Sequence, residues 1–269
     1  MNQLPLVSIA IPAYKPTFFE AAFLSACRQN YPNIEIVVCD DNRGDEIANI
    51  IERYKNEISF PIYYYHNDKQ LYEQKNFFKC VSLSNGDYIK FLCDDDLLHN
   101  DCVGKLVYAI ENNPNITIAT CCRRRIDEND VILSDIPATA APFPDDFIIR
   151  GETLISYLAD YPLNFIGEPT CILCRKADLI AIGENFFMIN GMEIPFLGDL
   201  SLCINLLRKG NLAFISETLA DFRISHEQVS QKARNCDIVR LSEKSSKIFS
   251  EAIHLAGYYH GEKKNQPIS

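Results

Sequence analysis

The chain has 269 residues, 47% of them hydrophobic, enough for a sizeable core in one large α/β domain with a C-terminal elaboration. Acidic residues outnumber basic ones, 36 to 26, giving a formal net charge of -10 that repels phosphate backbones and excludes nucleic acid as a partner. A metal ion or a few local cations can still hold a small phosphorylated ligand on such a surface.

In chain order, residues 6–11 read as an apolar strand stopped by Pro12, and residues 18–29 as a helix punctuated by Asn30 and Pro32. Residues 34–39 form a second apolar strand ending at Asp40 and Asp41, followed by a helix over 45–55 and a third strand over 61–65. An amphipathic helix over 75–83 stops at Asn85-Gly86, and a fourth strand over 88–92 ends at Asp94, Asp95 and Asp96. Near-continuous apolar strands separated by helices specify a mostly parallel sheet covered on both faces. The pattern continues with a helix over 101–112, a strand over 116–121 and a mixed stretch over 123–150 that reads as a hairpin or irregular excursion. Then come a helix over 152–158, a strand over 169–174, a short helix over 176–180, a helix over 199–208, a strand over 211–215 and a last helix over 236–258.

The N-terminus lacks a basic leader, and no apolar run approaches about 18 residues. The expectation is a cytoplasmic chain without a spanning helix. Peripheral attachment at the inner face of the membrane stays open through Lys232, Arg234, Arg240, Lys244 and Lys247, whose plainer reading is a solvated helix face. The 11 cysteines lie mostly in apolar runs and read as buried hydrophobes of a reducing compartment. Cys171 and Cys174 have CxxC spacing, but no second such pair follows to complete a zinc site.

In open parallel sheets ligands collect beyond the carboxyl ends of the strands. That rule places Asp40–Asp41 and Asp94–Asp96 on one edge. Three adjacent carboxylates repel one another without a compensating cation. A helix cap explains one Asp well and three poorly, so the run reads as a divalent-cation site in which another Asp contacts ribose or water. Asp40 reads as the structural member of its pair and Asp41 as the ligand contact. Tyr14 has a place to stack against a planar ring; in isolation ordinary packing is the better explanation, and the stacking reading draws its force from the sheet edge shared with Asp41 and Asp95.

The stretches VSIAIPAYKPTFFEAAFLSACRQNYPNIEIVVCDDN, SNGDYIKFLCDDDLL and FLGDLSL, in that order, resemble the family-2 glycosyltransferases of the GT-A fold. The likeness covers about residues 5–230, its specific part being 7–100. It implies an inverting enzyme with a mostly parallel central sheet, flanking helices and a helical C-terminal extension. The catalytic domain would be residues 1–230, with a nucleotide-sugar half (1–115) and an acceptor half (116–230), and residues 231–269 would be the extension and tail. The donor would be a nucleoside diphosphate sugar, UDP-linked for preference, with Mg²⁺ or Mn²⁺ as cofactor and a glycan or lipid-linked acceptor.

Carried over by position, the resemblance gives Pro12 and Tyr14 to the nucleobase border and Asp41 to the base. It gives Asp94 to the ribose or the metal, Asp95 to the metal as the best-matched carboxylate, and Asp96 to the metal beside it. Cys93 replaces the family's customary first Asp. Lys75 takes the place of the arginine near the diphosphate, as a point charge without a bidentate fork; a surface lysine is the alternative. Asp199, after Gly198, matches the general base that takes the acceptor proton, and also fits an N-cap; Glu193 is the runner-up. In FRISHEQVS, Arg223, His226 and Ser230 resemble a His-containing motif, so that His226 would approach metal or diphosphate, unless it is an exposed loop residue. Two alternatives are weighed. A nucleotidyltransferase would carry a Gly-rich phosphate loop where this chain has Pro12-Ala13-Tyr14-Lys15, and a non-catalytic binding module would not need Asp41, Asp95 and Asp199 together.

Overall fold

Val7–Ala13 (β1) and Ile34–Asp40 (β2) are buried at every position, as strands covered on both faces must be. In the computed structural model, which describes residues 4–225 and 237–261, these strands lie at the heart of a nine-stranded mixed sheet. Between and after them come Phe19–Cys27 (α1), Glu46–Tyr54 (α2), Ile62–His66 (β3), Tyr72–Leu83 (α3) and Tyr88–Phe91 (β4). The order β3-β2-β1-β4 is parallel throughout, with Ala10 opposite both Val37 and Phe91. Alternate residues serve the two faces. Ile9 and Ile11 join the core with α1, α2 and the later helix Cys102–Glu111 (α4), whereas Ala10 joins the core on the α3 side.

The second half adds Leu97–Leu98 (β5), Ile116–Ile126 (β6), Phe147–Ile149 (β7) and Gly151–Asp160 (α5), then a 3₁₀ turn at Pro169–Cys171. Leu173–Arg175 (β8), Lys176–Ile182 (α6), Met188–Ile189 (β9), Met192–Glu193 (β10), Gly198–Leu207 (α7) and Asn211–Arg223 (β11) follow, and Asp237–Leu255 (α8) comes last. The sheet continues β4-β8-β6-β11-β5, with β7 also on β11. β8 runs antiparallel to both β4 and β6, so its N-terminal end, with the 3₁₀ turn, reaches the edge where the parallel strands finish. α8 buries Phe249, Ala252 and Ile253 in the same core as α5 and α7. No helix among the described residues is long and apolar enough to cross a membrane.

Several elements differ from their sequence outlines. Pro12 does not stop β1, which runs on to Ala13, because extended backbone accommodates the fixed φ of proline and only a donor is lost. α3 begins at Tyr72, three residues before the expected start, since Asp41 accepts the backbone N–H groups of Leu71 and Tyr72. β11 extends past Ile215 to Arg223 by way of register shifts against β6. The 123–150 stretch holds the end of β6, a bridge from Ile126 to Ile132, and β7.

Gly86 lets β4 start tight against β1. A Cβ there would come within 2.6 Å of the backbone N and Oγ of Ser8. The Gly86 N–H donates to that Oγ, which itself donates to buried Glu35. Gly86→Ala should therefore cost about 1–3 kcal/mol by overpacking, read as a lower urea midpoint at unchanged slope; an unchanged midpoint would show that the approach relaxes freely.

Candidate active site

The carboxyl end of the sheet collects most of the expected residues. Beyond β4, the Leu92 N–H still donates to Ala10, keeping the two chains side by side. Two residues further on, Asp94 Oδ2 accepts the backbone N–H groups of Tyr14 at 2.6 Å and Lys15 at 2.7 Å. Burial raises the Asp94 carboxyl to about 6, and the charge of Asp95 adds to this while the two N–H groups oppose it. The loop after β1 is thereby pinned to the acidic run. Tyr14 is left half exposed above it, while Pro12 is buried in register with Cys39.

Asp96 is buried. Its Oδ2 accepts the Thr170 hydroxyl at 2.6 Å and its Oδ1 accepts the Arg223 backbone N–H at 3.0 Å. Burial, then the neighbouring Asp95, pushes its carboxyl well above the usual range. Thr170 also accepts the Cys93 N–H at 3.1 Å, and its carbonyl accepts the ammonium of buried Lys90. The 3₁₀ turn is thus sewn to β4. Asp95 lies half-buried between its two neighbours, with its carbonyl accepting from Arg223 Nε at 2.8 Å.

Asp41 is buried and accepts from Asn67 Nδ2 and the Leu71 N–H, both at 2.8 Å, and from the Tyr72 N–H at 2.9 Å. It orders the start of α3 and holds Tyr72 in the left-handed region at φ 62°. Asp40 accepts from the Asn42 N–H and the Tyr64 hydroxyl. Both members of the pair therefore serve internal donors, where only Asp40 was expected to. Lys75 is exposed near the start of α3. His226 lies outside the described residues.

Asp199 is the second residue of α7, whose cap position is Leu197, so the N-cap expectation does not hold. The site retains some surface exposure, yet protein crowds the carboxyl itself. Burial raises it to about 8, with the charges of Glu168 and Glu73 adding and Arg123 opposing. Cys93 links the two sides: burial raises its thiol, and so do the charges of Asp96, Asp95 and Asp199. The residue in place of the customary Asp is therefore a neutral thiol between the acidic run and α7.

Arg123, Glu168 and Thr170 escaped the sequence reading. Arg123 is buried, donates to the carbonyls of Ala138 at 3.0 Å and Asn164 at 2.9 Å, and pairs with Glu168. Charged residues closing an apolar strand, and a Glu directly before Pro169, were the available signals. Glu193, the runner-up base, is exposed on β10. No group of three or more His, Cys, Asp or Glu side chains that could hold a metal occurs among the described residues.

The model of the family described as Glycosyl transferase family 2 matches residues 8–183. The chain is 30% identical over 130 residues to abequosyltransferase RfbV of Salmonella typhimurium, covering 47% of this chain and 38% of that one. It is 31% identical over 241 residues to an uncharacterized glycosyltransferase of Rickettsia typhi, covering 86% and 68%. It is 34% identical over 103 residues to the UDP-Glc:alpha-D-GlcNAc-diphosphoundecaprenol beta-1,3-glucosyltransferase WfaP of Escherichia coli, covering 35% and 36%. The chain thus spans less than half the length of RfbV and of WfaP. Among solved structures, S. aureus TarS 1-349 in complex with UDP-GlcNAc superposes with a TM-score of 0.64 at 15% identity, covering 89% of this chain and 65% of that one. That likeness is one of fold, the GT-A arrangement of a mixed sheet between helices.

The Asp199 carboxyl gives a pH signature. Its folded value of about 8 lies above the unfolded value of about 3.9. Folding therefore favours the protonated form, and the stability this contributes is present below about pH 4 and lost as pH rises toward 8. Asp199→Asn removes that loss, so its melting temperature should gain on wild type between about pH 5 and pH 8.5. Parallel melting curves across that range would show that the carboxyl is not crowded.

Proposed function

The chain belongs to glycosyl transferase family 2, and we propose that it moves a sugar from a nucleoside diphosphate donor to an acceptor hydroxyl with inversion at the anomeric carbon. A UDP-linked donor is favoured, since WfaP is named for UDP-Glc and TarS binds UDP-GlcNAc. A glycan or lipid-linked acceptor is favoured because WfaP is named for a diphosphoundecaprenol-linked one. Residues 1–230 would carry the reaction. The observation that carries the reading is that the charges of Asp96, Asp95 and Asp199 all act on the one thiol of Cys93, which brings the acidic run and the start of α7 to the same place.

In this reading Tyr14, beside buried Pro12, borders the nucleobase, and Asp41 fixes the loop that closes that end. Asp94 keeps the loop after β1 against the acidic run on the ribose side, with Lys75 and His226 as candidate partners of the diphosphate. Asp95 faces the diphosphate, and its neighbour Asp96 is held by Thr170 and the main chain of Arg223. The residues fit a divalent cation that arrives with the donor. Mg²⁺ commonly takes only one or two protein carboxylates and completes its shell with substrate phosphates and water. Asp94 and Asp96 already serve protein donors, and a protonated Cys93 adds no thiolate. Bound there, Mg²⁺ or Mn²⁺ supplies positive charge against the departing diphosphate.

Asp199 takes the proton of the acceptor hydroxyl as that oxygen bonds to the anomeric carbon. The bond from that carbon to the diphosphate oxygen breaks with its electron pair, releasing the nucleoside diphosphate. A carboxyl raised to about 8 is a stronger base than an ordinary aspartate, and it accepts the proton only when ionised.

The expected kinetics follow. With UDP-sugars and Mg²⁺ or Mn²⁺, kcat/KM should climb about tenfold per pH unit and level off near pH 8. Asp199→Asn should lower kcat by about 10²–10⁴-fold while donor affinity holds. Asp95→Asn should chiefly weaken metal-dependent donor binding. Calorimetry with UDP and steady-state rates separate the two roles, and the reverse pattern would overturn them. Turnover and binding absent for every common nucleotide sugar would overturn the activity itself.

A further inference from the structure

Arg223 closes β11 with its side chain 1% exposed, a guanidinium taken almost wholly out of water. Such a charge is costly to bury unless it is paired and its donors are met. Its Nε donates to the Asp95 carbonyl at 2.8 Å and its Nη1 to the Asp127 carbonyl at 2.8 Å. Its Nη2 pairs with the Asp130 carboxylate at 2.7 Å, and its guanidinium carbon lies 4.5 Å from the centre of the Phe18 ring. Its backbone N–H donates to Asp96 Oδ1 at 3.0 Å. One residue thus grips two successive members of the acidic run, Asp95 through the side chain and Asp96 through the main chain.

Ending a strand does not require this. A planar fork with donors on several edges is needed to reach the Asp95 carbonyl, the Asp127 carbonyl and the Asp130 carboxylate at once, and a lysine presents no such fork. Asp130 is the outer end of the clamp. Its side chain is 65% exposed and its backbone is left-handed at φ 62°, a conformation that Asp and Asn tolerate better than most residues. An exposed acid in that conformation pairs with the buried arginine from the surface.

We propose that Arg223 is a positioning residue for Asp95, fixing the main chain beneath that carboxylate so that it faces the diphosphate. Asp130 completes the clamp by neutralising the guanidinium. This rests on the reading of Asp95 as the donor-side carboxylate. Groups that orient a metal-facing residue from behind commonly cost about 10–100-fold in affinity when removed.

The test titrates UDP by calorimetry, with and without Mn²⁺, into wild type, Asp130→Asn, Arg223→Lys, Asp95→Asn and the Asp95→Asn/Arg223→Lys pair, with melting temperatures alongside. Asp130→Asn keeps the left-handed backbone and loses only the outer charge, so it reports even if Arg223→Lys fails to fold. Both single clamp variants should weaken Mn²⁺-dependent binding, Arg223→Lys by about tenfold or more, leaving metal-free binding unchanged. Arg223→Lys should add nothing once Asp95 is already Asn. Wild-type affinity in Asp130→Asn and in folded Arg223→Lys, with Asp95→Asn weakened, would overturn the clamp and leave the donor-side reading standing. An Asp95→Asn protein that binds UDP and Mn²⁺ like wild type would overturn both.

Discussion

The arrangement depends on how carboxylates leave water at one end of the sheet. A buried carboxylate must be met by donors or give up its charge. Asp94 meets this with two backbone N–H groups of the loop after β1, and the bonds tie the residues after β4 to that loop. Because β1 and β4 are neighbours in register, that reach is short. With the Asn42 side chain donating to the Tyr14 carbonyl at 2.9 Å, Asp94 sets the place of Tyr14 relative to the acidic run.

The three successive aspartates then divide by orientation. Asp94 faces the β1 loop, Asp96 faces Thr170 and β11, and between them the Asp95 carbonyl accepts from Arg223 Nε. Burial penalises the charged forms of Asp94 and Asp96 first and the adjacent Asp95 charge adds to it, so both carboxyls are raised. The neutral thiol of Cys93 follows the same logic. A further carboxylate at that position would face Asp95, Asp96 and Asp199 together. At the start of α7, the Arg123–Glu168 pair acts on Asp199 with opposed charges, Glu168 raising its carboxyl and Arg123 lowering it.

Much of this was legible in the sequence because β2 and β4 are largely apolar and are followed abruptly by acids. Residues 7–13, 34–40 and 88–91 announce themselves by composition, and the edge rule then gathers Asp41 and Asp94–Asp96. What a single sequence does not carry is direction. Whether Asp41 turns outward or caps α3 depends on where Leu71 and Tyr72 return, 30 residues later. Thr170 lies far from the acidic run in sequence and reaches Asp96 through the 3₁₀ turn that leads into β8, the strand inserted antiparallel between β4 and β6. Glu168 precedes the same turn and pairs with Arg123 on β6. The short strands β5, β9 and β10 have no periodicity to read, each being two residues long. Family likeness supplied the expectation of a base at Asp199, which periodicity alone would have left as a helix-start residue.

The most direct test is a crystal structure with UDP and Mn²⁺, with the cation located by its anomalous scattering. The expected map has the manganese against the Asp95 carboxylate and both phosphates, the base beside Tyr14, and the open side of the diphosphate toward Asp199. A nucleotide seated instead in the cavity of about 760 Å³ at the opposite end of the sheet, lined by Asp87, Tyr88, Glu111 and Arg175, would contradict it.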